Sequence, residues 1–342
     1  MSQSMKMMLI YGGFLLAGLS LPILFPAFQT QIAVLWLMIV FALTWDVLGG
    51  QMGYNSFGNI VFFGVSMYAA ASVQRELWFD MNQYQSISEA FSVHITSGEY
   101  LMGFGLGAGV GAVLSVIIAL VMGAGILRLR GHYFAICTLG LGITVAEVAG
   151  GIEYIGAGGG MAAPVFPAEM GPAGRFYAYY FFVLAAITFF ALKWLYSTRF
   201  GLALNAIRDD ENKAEAMGLH TTRYKTAAWC ISAFFLSFAG AGFGHLNGFI
   251  DPLDVAFPGA TFGVWMVLMA ILGGKGTIWG PVIGAIIFHV TQEIFWSTLF
   301  GWQRVALGFL IVAIVVFFPL GIIGWAKERW PERFGHKVEE GA

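Results

Sequence analysis

Long runs of apolar residues follow one another along the whole chain, with only short polar segments between them. A helix needs about 20 such residues to cross the hydrocarbon core of a bilayer. Windows of that length predict ten spans, at 8–26, 31–49, 59–77, 100–126, 132–150, 177–196, 226–249, 261–274, 280–300 and 304–325. The eighth is short and 46–64 is rich in glycine, so either is a candidate for a broken or re-entrant segment. The pattern therefore predicts about 8–10 membrane helices.

The composition agrees with a membrane protein. Hydrophobic residues make up 58% of the 342 residues and charged residues only 11%, whereas a soluble domain carries about 25% charge. We therefore predict an all-α, polytopic membrane protein in which residues 1–342 form a single transmembrane domain. A net charge of −2 gives no sign of nucleic-acid binding. Cys137 and Cys230 both lie inside apolar runs, so a disulfide framework is not expected.

Basic residues are concentrated in alternate connections between the predicted spans. The intervening connections at 77–100 and 251–260 carry acidic residues and no lysine or arginine. Because cytoplasmic loops hold the excess of lysine and arginine, this alternation predicts that both chain ends are cytoplasmic. The basic residues concerned are Arg128, Arg130, Lys193, Arg199, Arg208, Lys213, Arg223, Lys225, Lys327, Arg329, Arg333 and Lys337.

A charged segment from Ser197 to Gly218 stands between two long apolar runs, and its basic residues place it on the cytoplasmic side. Its second half predicts a short helix, which Asp209 or Asp210 caps and Gly218 ends. Glu211 would then lie in the first turn, near the positive end of the helix dipole. A rigid charged helix between two spans suits a membrane domain that takes force from a soluble partner. An ordinary solvated loop is the alternative interpretation.

The sequence lacks the motifs of ATP-binding proteins and enzymes. Lys275 follows two glycines, but Gly276 stands where a phosphate-binding loop needs a hydroxyl group to hold magnesium. No cluster of His, Cys or carboxylate residues has the spacing of a metal site. The sequence therefore predicts that this chain is not an enzyme, with no catalytic residue, no metal site and no cofactor of its own.

Two glycine patterns lie in or beside apolar runs. Gly103, Gly107 and Gly111 fall on one face of a predicted span, which favours close contact with another helix over a dinucleotide site. The segments that start at Gly49 and Gly273 are faintly alike, which indicates either an inverted repeat of the transporter kind or a chance match.

Three carboxylates, Asp46, Glu147 and Glu293, fall in predicted spans, with Glu293 nearest the middle of its run. A charged side chain at membrane depth costs about 2.5–3.5 kcal/mol unless it is paired or wetted. Each carboxylate is therefore either part of a wetted cavity or gate, or a structural hydrogen-bond partner of a neighbouring helix. His245 and His289 stand alone in their spans, and we interpret both as packing residues.

Four segments in order resemble one family. They are GQMGYNSFGNIVFFGVSMYAAA at 50–71, LRLRGHYFAICTLGLG at 127–142, RFGLALNAIRDDENKAEAMGLHTTRYKTAAWCISAFFLSFAGAGFG at 199–244 and LGGKGTIWGPVIGA at 272–285. Together they are similar to the LivM-type permease subunits of high-affinity branched-chain amino-acid ABC importers. The resemblance covers most of the chain from 45 to 325.

The resemblance implies a role for the charged segment, 197–225. In this family a short cytoplasmic helix docks on an ATPase subunit and couples its nucleotide state to the permease. Carried over to this chain, that role falls on Arg208, Asp209, Asp210, Glu211, Ala214, Glu215 and Gly218. The glycine-rich segment would line the translocation path through Gly53, Asn55, Ser56 and Gly58, to which we add Glu293 as a candidate from its position in a span.

The resemblance also implies partners. These are a second, homologous permease of the LivH type, two ATP-binding subunits that hold ATP and magnesium, and an external or periplasmic solute-binding protein. The assembly would work by alternating access in a bacterial cytoplasmic (inner) membrane, with the lipid bilayer as surroundings and no nucleic acid involved.

Some positions depart from the family pattern and leave the solute open. His132 stands where the family usually has aspartate, and Asn212 and Lys213 precede Ala214 where a Glu-Ala pair is expected. Urea, short-chain amides and other amino acids are alternative solutes. Two rival classes are an ion-coupled secondary transporter, which would use the carboxylates in the spans, and a passive channel.

Overall fold

The computed structural model describes residues 3–78, 95–299, 301–302, 305–309, 312, 316 and 321–329, and these are almost all helical. The helices are α1 (Gln3–Leu24), α2 (Gln29–Gly49), α3 (Asn59–Trp78), α4 (Ser97–Ile126), α5 (His132–Gly150), α6 (Ala173–Tyr196), α7 (Arg199–Asp209), α8 (Glu211–Ala216), α9 (Thr221–Asn247), α10 (Val264–Gly273), α11 (Trp279–Thr298) and α12 (Gly321–Arg329). Two short strands, β1 (Met161–Ala162) and β2 (Phe249–Ile250), pair antiparallel.

The predicted fold class is confirmed. Six helical segments in the described part of the chain are long and apolar enough to cross a membrane: Pro26–Gly49, Ser97–Ile126, His132–Gly150, Ala173–Tyr196, Thr221–Asn247 and Pro252–Gly273. Three further long helices, α1, α3 and α11, pack among them. The protein is therefore an all-α, multi-pass membrane protein. Of the predicted tenth span, 304–325, the structure describes only residues 305–309, 312, 316 and 321–325.

Helix α2 occupies the centre of the bundle. It packs against α6, α9, α10 and α11, and nearly all its residues from Trp36 to Gly49 are buried. Helices α4 and α5 lie at the periphery instead, with exposed apolar side chains such as Val113, Val121 and Ile136. A helix that is apolar all round is either enclosed by protein or faces lipid, and this bundle contains both kinds.

Small residues let α4 approach α3 closely, as the glycine spacing predicted. A Cβ atom at Gly107 would lie 2.7 Å from the carbonyl oxygen of Ala70, and one at Gly111 would lie 2.3 Å from Oγ of Ser66. Ser66 Oγ also donates a 2.6 Å hydrogen bond to the carbonyl of Ser237 on α9. The three helices α3, α4 and α9 therefore form one tightly packed unit.

The connections fall into two groups at opposite ends of the bundle, as the charge alternation predicted. Segments 50–58, 127–131, 197–220 and 274–278 meet at one end, which we call the basic end. At the other end, Arg75 donates to the carbonyl oxygen of Tyr154 at 2.9 Å, and β1 pairs with β2.

The connection at 251–260 differs from the predicted loop. It contains two π-helical turns. The first is Pro252–Ala256, and the second, Gly259–Gly263, leads into α10. The carboxylate of Asp251 accepts hydrogen bonds from the backbone N–H groups of Leu253 and Asp254 at 2.8 and 2.7 Å, which starts the first turn. The eighth span is therefore a broken helix that extends further than its apolar window.

The glycine-rich region 46–64, the second candidate for a broken or re-entrant segment, contains the connection between two helices. Residues 50–58 connect the end of α2 to the start of α3 at the basic end. The two glycine-rich segments are in contact, because the N–H of Gly276, in the connection between α10 and α11, donates to Oδ1 of Asp46 at 2.7 Å. The inverted repeat stays a prediction, since contact between the two segments is compatible with it.

Replacing Gly111 by valine is expected to destabilise the bundle by about 1–3 kcal/mol, because the added methyl groups overlap Ser66 on α3. Gly109 is the matched control, since a Cβ atom there meets nothing within 4 Å. The thermal unfolding midpoint in detergent should fall for Gly111→Val and stay near wild type for Gly109→Val. Equal midpoints for the two variants would contradict the close α3–α4 contact.

Candidate functional site

Helix α7 leads from the end of α6 along the basic end of the bundle. Thr198 caps it, with its Oγ1 accepting the N–H of Phe200 at 3.2 Å. Its buried side includes Leu204 and Ile207. The sequence analysis did not predict this helix, although its apolar residues at 200, 204 and 207 follow the spacing of one helix face.

Helix α8 is the short helix that the sequence predicted. Asp210 is the cap, and its Oδ1 accepts the backbone N–H of Lys213 at 3.1 Å. Glu211 is the first helical residue, and the chain leaves the helix through Gly218, whose φ of +88° lies in the left-handed region that favours glycine. The negative charges of Asp210 and Glu211 at the N-terminal end also complement the helix dipole.

Glu211 points from α8 into the bundle, where it meets a buried lysine. Nζ of Lys225, near the start of α9, lies 2.7 Å from Oε1 of Glu211, and their side chains are only 1% and 11% exposed. The hydroxyl of Tyr54 donates to the other oxygen of Glu211, and Lys225 Nζ lies 3.2 Å from that hydroxyl. We call Tyr54, Glu211 and Lys225 the buried triad.

The buried triad joins three parts of the molecule. Tyr54 belongs to the glycine-rich segment between α2 and α3, Glu211 to α8 and Lys225 to α9. A lysine ammonium group removed from water is costly unless it is paired and hydrogen-bonded. The carboxylate of Glu211 supplies that pairing, so the position of α8 is fixed by the need to satisfy Lys225.

Arg130 adds a second layer of contacts on the outer side of α8. Its Nη2 lies 3.0 Å from Oε2 of Glu215 and its Nε 3.5 Å from Oε2 of Glu211. Thr221 Oγ1 donates to Glu215 at 2.7 Å. Because Arg130 lies in the turn between α4 and α5, α8 is tied to that hairpin as well as to α9.

These contacts shift the pKa values of the ionisable groups around α8. Burial disfavours the charged form of Glu211, but the hydrogen bonds from Lys225 and Tyr54 outweigh it and hold the pKa of Glu211 below its ordinary value. Thr221 and Arg130 lower the pKa of Glu215. The carboxylate of Glu211, followed by that of Glu215, raises the pKa of Arg130. All three groups therefore stay charged at neutral pH.

The opposite side of α8 is exposed. The side chains of Asp209 and Lys213 are 73% and 84% exposed, and Met217 is 85% exposed. A shallow cavity of about 300 Å³ lies beside them, lined by Ala206, Asp209, Asp210, Lys213, Ala214, Met217 and Leu219. A mixed surface with a prominent methionine is suited to contact another protein.

Arg208, at the end of α7, reaches towards both glycine-rich segments. Its Cγ lies 3.5 Å from the position of a Cβ atom on Gly53, and its Nη1 lies 3.1 Å from that of a Cβ atom on Gly276. Its Nε pairs with Asp209 at 3.4 Å. The structure therefore gathers the seven predicted coupling residues at one end but divides them between the inner and outer sides of α8.

The predicted path residues in the glycine-rich segment also divide into two pairs. Gly53 and Asn55 are exposed at the basic end. Ser56 is fully buried, where its Oγ donates to Oδ1 of Asn59 at 3.0 Å, and Gly58 packs against Thr138 of α5. Ser56 and Gly58 thus hold the segment in place inside the bundle.

The three carboxylates in the spans have different surroundings. Asp46 is buried and accepts a hydrogen bond from the N–H of Gly276 at 2.7 Å. This contact agrees with the interpretation of Asp46 as a structural hydrogen-bond partner. Glu147 and Glu293 are exposed on the outer sides of α5 and α11. Within the described ranges, no group of three or more His, Cys, Asp or Glu residues is arranged to hold a metal ion.

Sequence reasoning missed three contributors to this site: Tyr54, Arg130 and Lys225. Arg130 and Lys225 were interpreted only as loop charges that report sidedness, and Tyr54 was passed over among the glycines around it. Their partners lie 14 to 171 residues away along the chain. A lysine at the start of an apolar run was the available signal, because such a residue must be paired once it is buried.

The fold and this site define a multi-pass membrane protein that carries a small charged helix anchored to one end of its bundle. A model of the family described as "Branched-chain amino acid transport system / permease component" matches residues 29–318. The chain therefore belongs to that family of permease components.

Individual relatives agree with this membership. The chain is 25% identical to the high-affinity branched-chain amino acid transport system permease protein LivM of Salmonella typhimurium, over 91% of this chain and 77% of that protein. The LivM protein of Escherichia coli is 24% identical, over 87% and 74%. The LivH permease of Salmonella typhimurium is 28% identical over 42% of this chain and 44% of its own length. No solved structure matches significantly.

Removing the ammonium group with Lys225→Met is expected to lower the free energy of unfolding by about 3 kcal/mol, because Glu211 is left buried without its main partner. Lys213→Met is the matched control, since the exposed pair with Asp210 is worth about 0–1 kcal/mol. Denaturant titration in mixed micelles measures both. A loss for Lys225→Met no larger than that of the control would contradict the buried triad.

Acid should weaken the attachment of α8. Folding lowers the pKa values of Glu211 and Glu215, so their contribution to stability is complete above the ordinary value of 4.5 and is lost as the pH falls through the folded values. The unfolding midpoint should drop as the pH is lowered from 5, and less so in Glu211→Gln. The exposed Glu153→Gln control should keep the wild-type pH profile; an unchanged profile in Glu211→Gln would argue against the assignment.

Proposed function

We propose that this chain is a permease subunit of an ATP-driven importer, and that it moves branched-chain or other hydrophobic amino acids across the membrane by alternating access. The observation that carries the proposal is α8, which is anchored inward through Glu211 and Lys225 and exposed outward at Met217. A helix held in this way can receive a push from a soluble subunit and pass it into the bundle. The solute class rests on the names of the relatives.

The partners we propose follow from the absence of energy-converting motifs in the chain. Two separate ATP-binding subunits would hold ATP and magnesium and would dock on the outer side of α8. A second permease of the LivH type would complete the membrane domain, which is supported by the similarity of this chain to both LivM and LivH proteins. A solute-binding protein would deliver the solute at the end opposite to the basic end.

The basic end faces the cytoplasm in this proposal. Arg128, Arg130, Arg208, Lys213 and Lys275 all lie there, and cytoplasmic loops carry the excess of lysine and arginine. Both chain ends would then be cytoplasmic, in the inner membrane of a bacterium.

A movement of an ATPase subunit would reach the membrane helices by two routes through the buried triad. Displacement of α8 would move α9 through Lys225 and would move the glycine-rich segment through Tyr54. That segment connects α2 to α3, so its movement would change how these helices meet at the basic end. Gly53 and Asn55, both exposed there, are the positions we propose at the mouth of the path.

Glu293 is proposed as a path residue on the opposite half of the bundle. It lies on the exposed side of α11, where it would line a path only if the second permease covers that side. The urea and short-chain amide alternatives keep the same mechanism and differ in the ligand of the binding protein.

Met217→Asp is expected to abolish ATP-driven uptake and recovery of the ATPase subunits with this chain, because it places a charge at the most exposed apolar residue next to α8. Leu253→Asp is the matched control, since Leu253 is 55% exposed at the other end of the bundle. Affinity purification followed by subunit quantification measures the effect. Full recovery of the ATPase subunits and full uptake with Met217→Asp would refute the proposed docking surface. Loss of the ATPase subunits from Leu253→Asp but not from Met217→Asp would also refute it.

A further inference from the structure

A second cavity at the basic end adjoins the one beside the exposed side of α8, and Leu219 lines both. A cavity of about 510 Å³ lies between the end of α4 and the start of α9. It is lined by Arg128, Glu215, Gly218, Leu219, His220, Thr221, Thr222 and Arg223. The only acidic residue among these, Glu215, is already engaged by Arg130 and Thr221.

The two arginines of this cavity are free to bind an anion. Arg128 and Arg223 are exposed, and neither has a carboxylate partner within the part of the chain that the structure describes. Helix α9 begins at the same place, so the positive end of its dipole adds to the positive potential of the cavity. The cavity therefore favours a phosphate-bearing ligand.

An apolar groove continues from this cavity. His220 and Arg223 also line a neighbouring cavity of about 360 Å³, together with Phe200, Tyr224 and Ala227. The rings of Phe200 and Tyr224 pack with centroids 5.6 Å apart. A ligand that fits both cavities must carry a negative head and an apolar portion beside it.

The groove is extended by one face of α9. Arg223, Ala227, Cys230 and Phe234 are spaced by helical turns and so lie along that face, with Cys230 half-buried and Phe234 45% exposed. From Arg223 to Phe234 the helix rises about 16 Å, which is half of the roughly 30 Å hydrocarbon core of a bilayer. The basic cavity and the apolar face together match the height of one leaflet.

We propose that the basic cavity binds the headgroup phosphate of an anionic phospholipid, with its acyl chain along the α9 face. Basic pockets between membrane helices on the cytoplasmic side attract such lipids. A lipid here would touch Gly218 and Glu215 next to α8, so it would brace α8 from the bilayer side. The proposal rests on the two cavities and does not depend on which solute is carried.

The test uses the full chain with the subunits that co-purify with it, placed in nanodiscs of equal phosphatidylglycerol and phosphatidylcholine. After re-extraction in mild detergent, the lipids that stay bound are measured by mass. We expect enrichment of phosphatidylglycerol in wild type. Arg128→Gln and Arg223→Gln should each lower the enrichment about fivefold, because one cation near a membrane surface contributes about that much. The double variant should lose nearly all of it.

Arg199→Gln is the matched control, since Arg199 is exposed at the same end but lines neither cavity. It should retain the wild-type enrichment, and all variants should keep the wild-type unfolding midpoint. Enrichment that survives in the double variant would overturn the proposal. So would displacement of the lipid by millimolar inorganic phosphate, which would show a site for a free anion.

A third experiment distinguishes a lipid bound in the cavity from a protein bound there. Thr222→Cys, a substitution in the cavity lining that leaves both arginines in place, is treated with a membrane-impermeant thiol reagent in the assembled complex and in the isolated chain, with and without phosphatidylglycerol. Protection by phosphatidylglycerol in both preparations supports the proposal. Protection only when the ATPase subunits are present would overturn it, because the surface would then be a protein interface.

Discussion

The position of Lys225 constrains the whole basic end of the molecule. Lys225 lies near the start of a spanning helix, and its side chain is only 1% exposed, so its ammonium group needs a compensating carboxylate close by. That carboxylate comes from Glu211, on the six-residue helix α8. A helix this short has little stability of its own. The ion pair therefore fixes where α8 lies, and α8 in turn decides which side chains face outward.

The surroundings of the buried triad determine what a displacement of α8 would do. Behind Lys225, α9 packs on α3 and α4, where glycines bring the backbones close. Close-packed helices move as units because they contain few voids that absorb strain. Behind Tyr54, the chain is irregular and held by single hydrogen bonds, such as that from the indole of Trp45 to the carbonyl of Ser56 at 2.8 Å.

Local features of this protein were predictable from its sequence. The spans follow from apolar windows, and the ends of α8 follow from Asp210 and Gly218, because capping involves residues within a turn of one another. Spacing alone predicted that the glycines of α4 contact another helix, and the structure identifies that helix as α3.

Features that depend on tertiary contacts were not predictable in the same way. Lys225 looked like one more loop charge, and Glu293 looked central although it lies on an exposed side of α11. The helical turn at 252–256 is capped by the side chain of Asp251, and this capping role is not visible in an apolar window. The sequence predicted a short capped helix in the charged segment but could not show which of its residues face the bundle.

The measurement that tests this account most directly is the amount of solute moved per ATP hydrolysed by the complete importer in liposomes. If Glu211 transmits the movement of α8, then Glu211→Gln should retain ATP hydrolysis but move much less solute for each ATP. The charge-swapped pair Glu211→Lys with Lys225→Glu should recover part of that ratio. A Glu211→Gln complex with the wild-type ratio would contradict the central role of the buried triad.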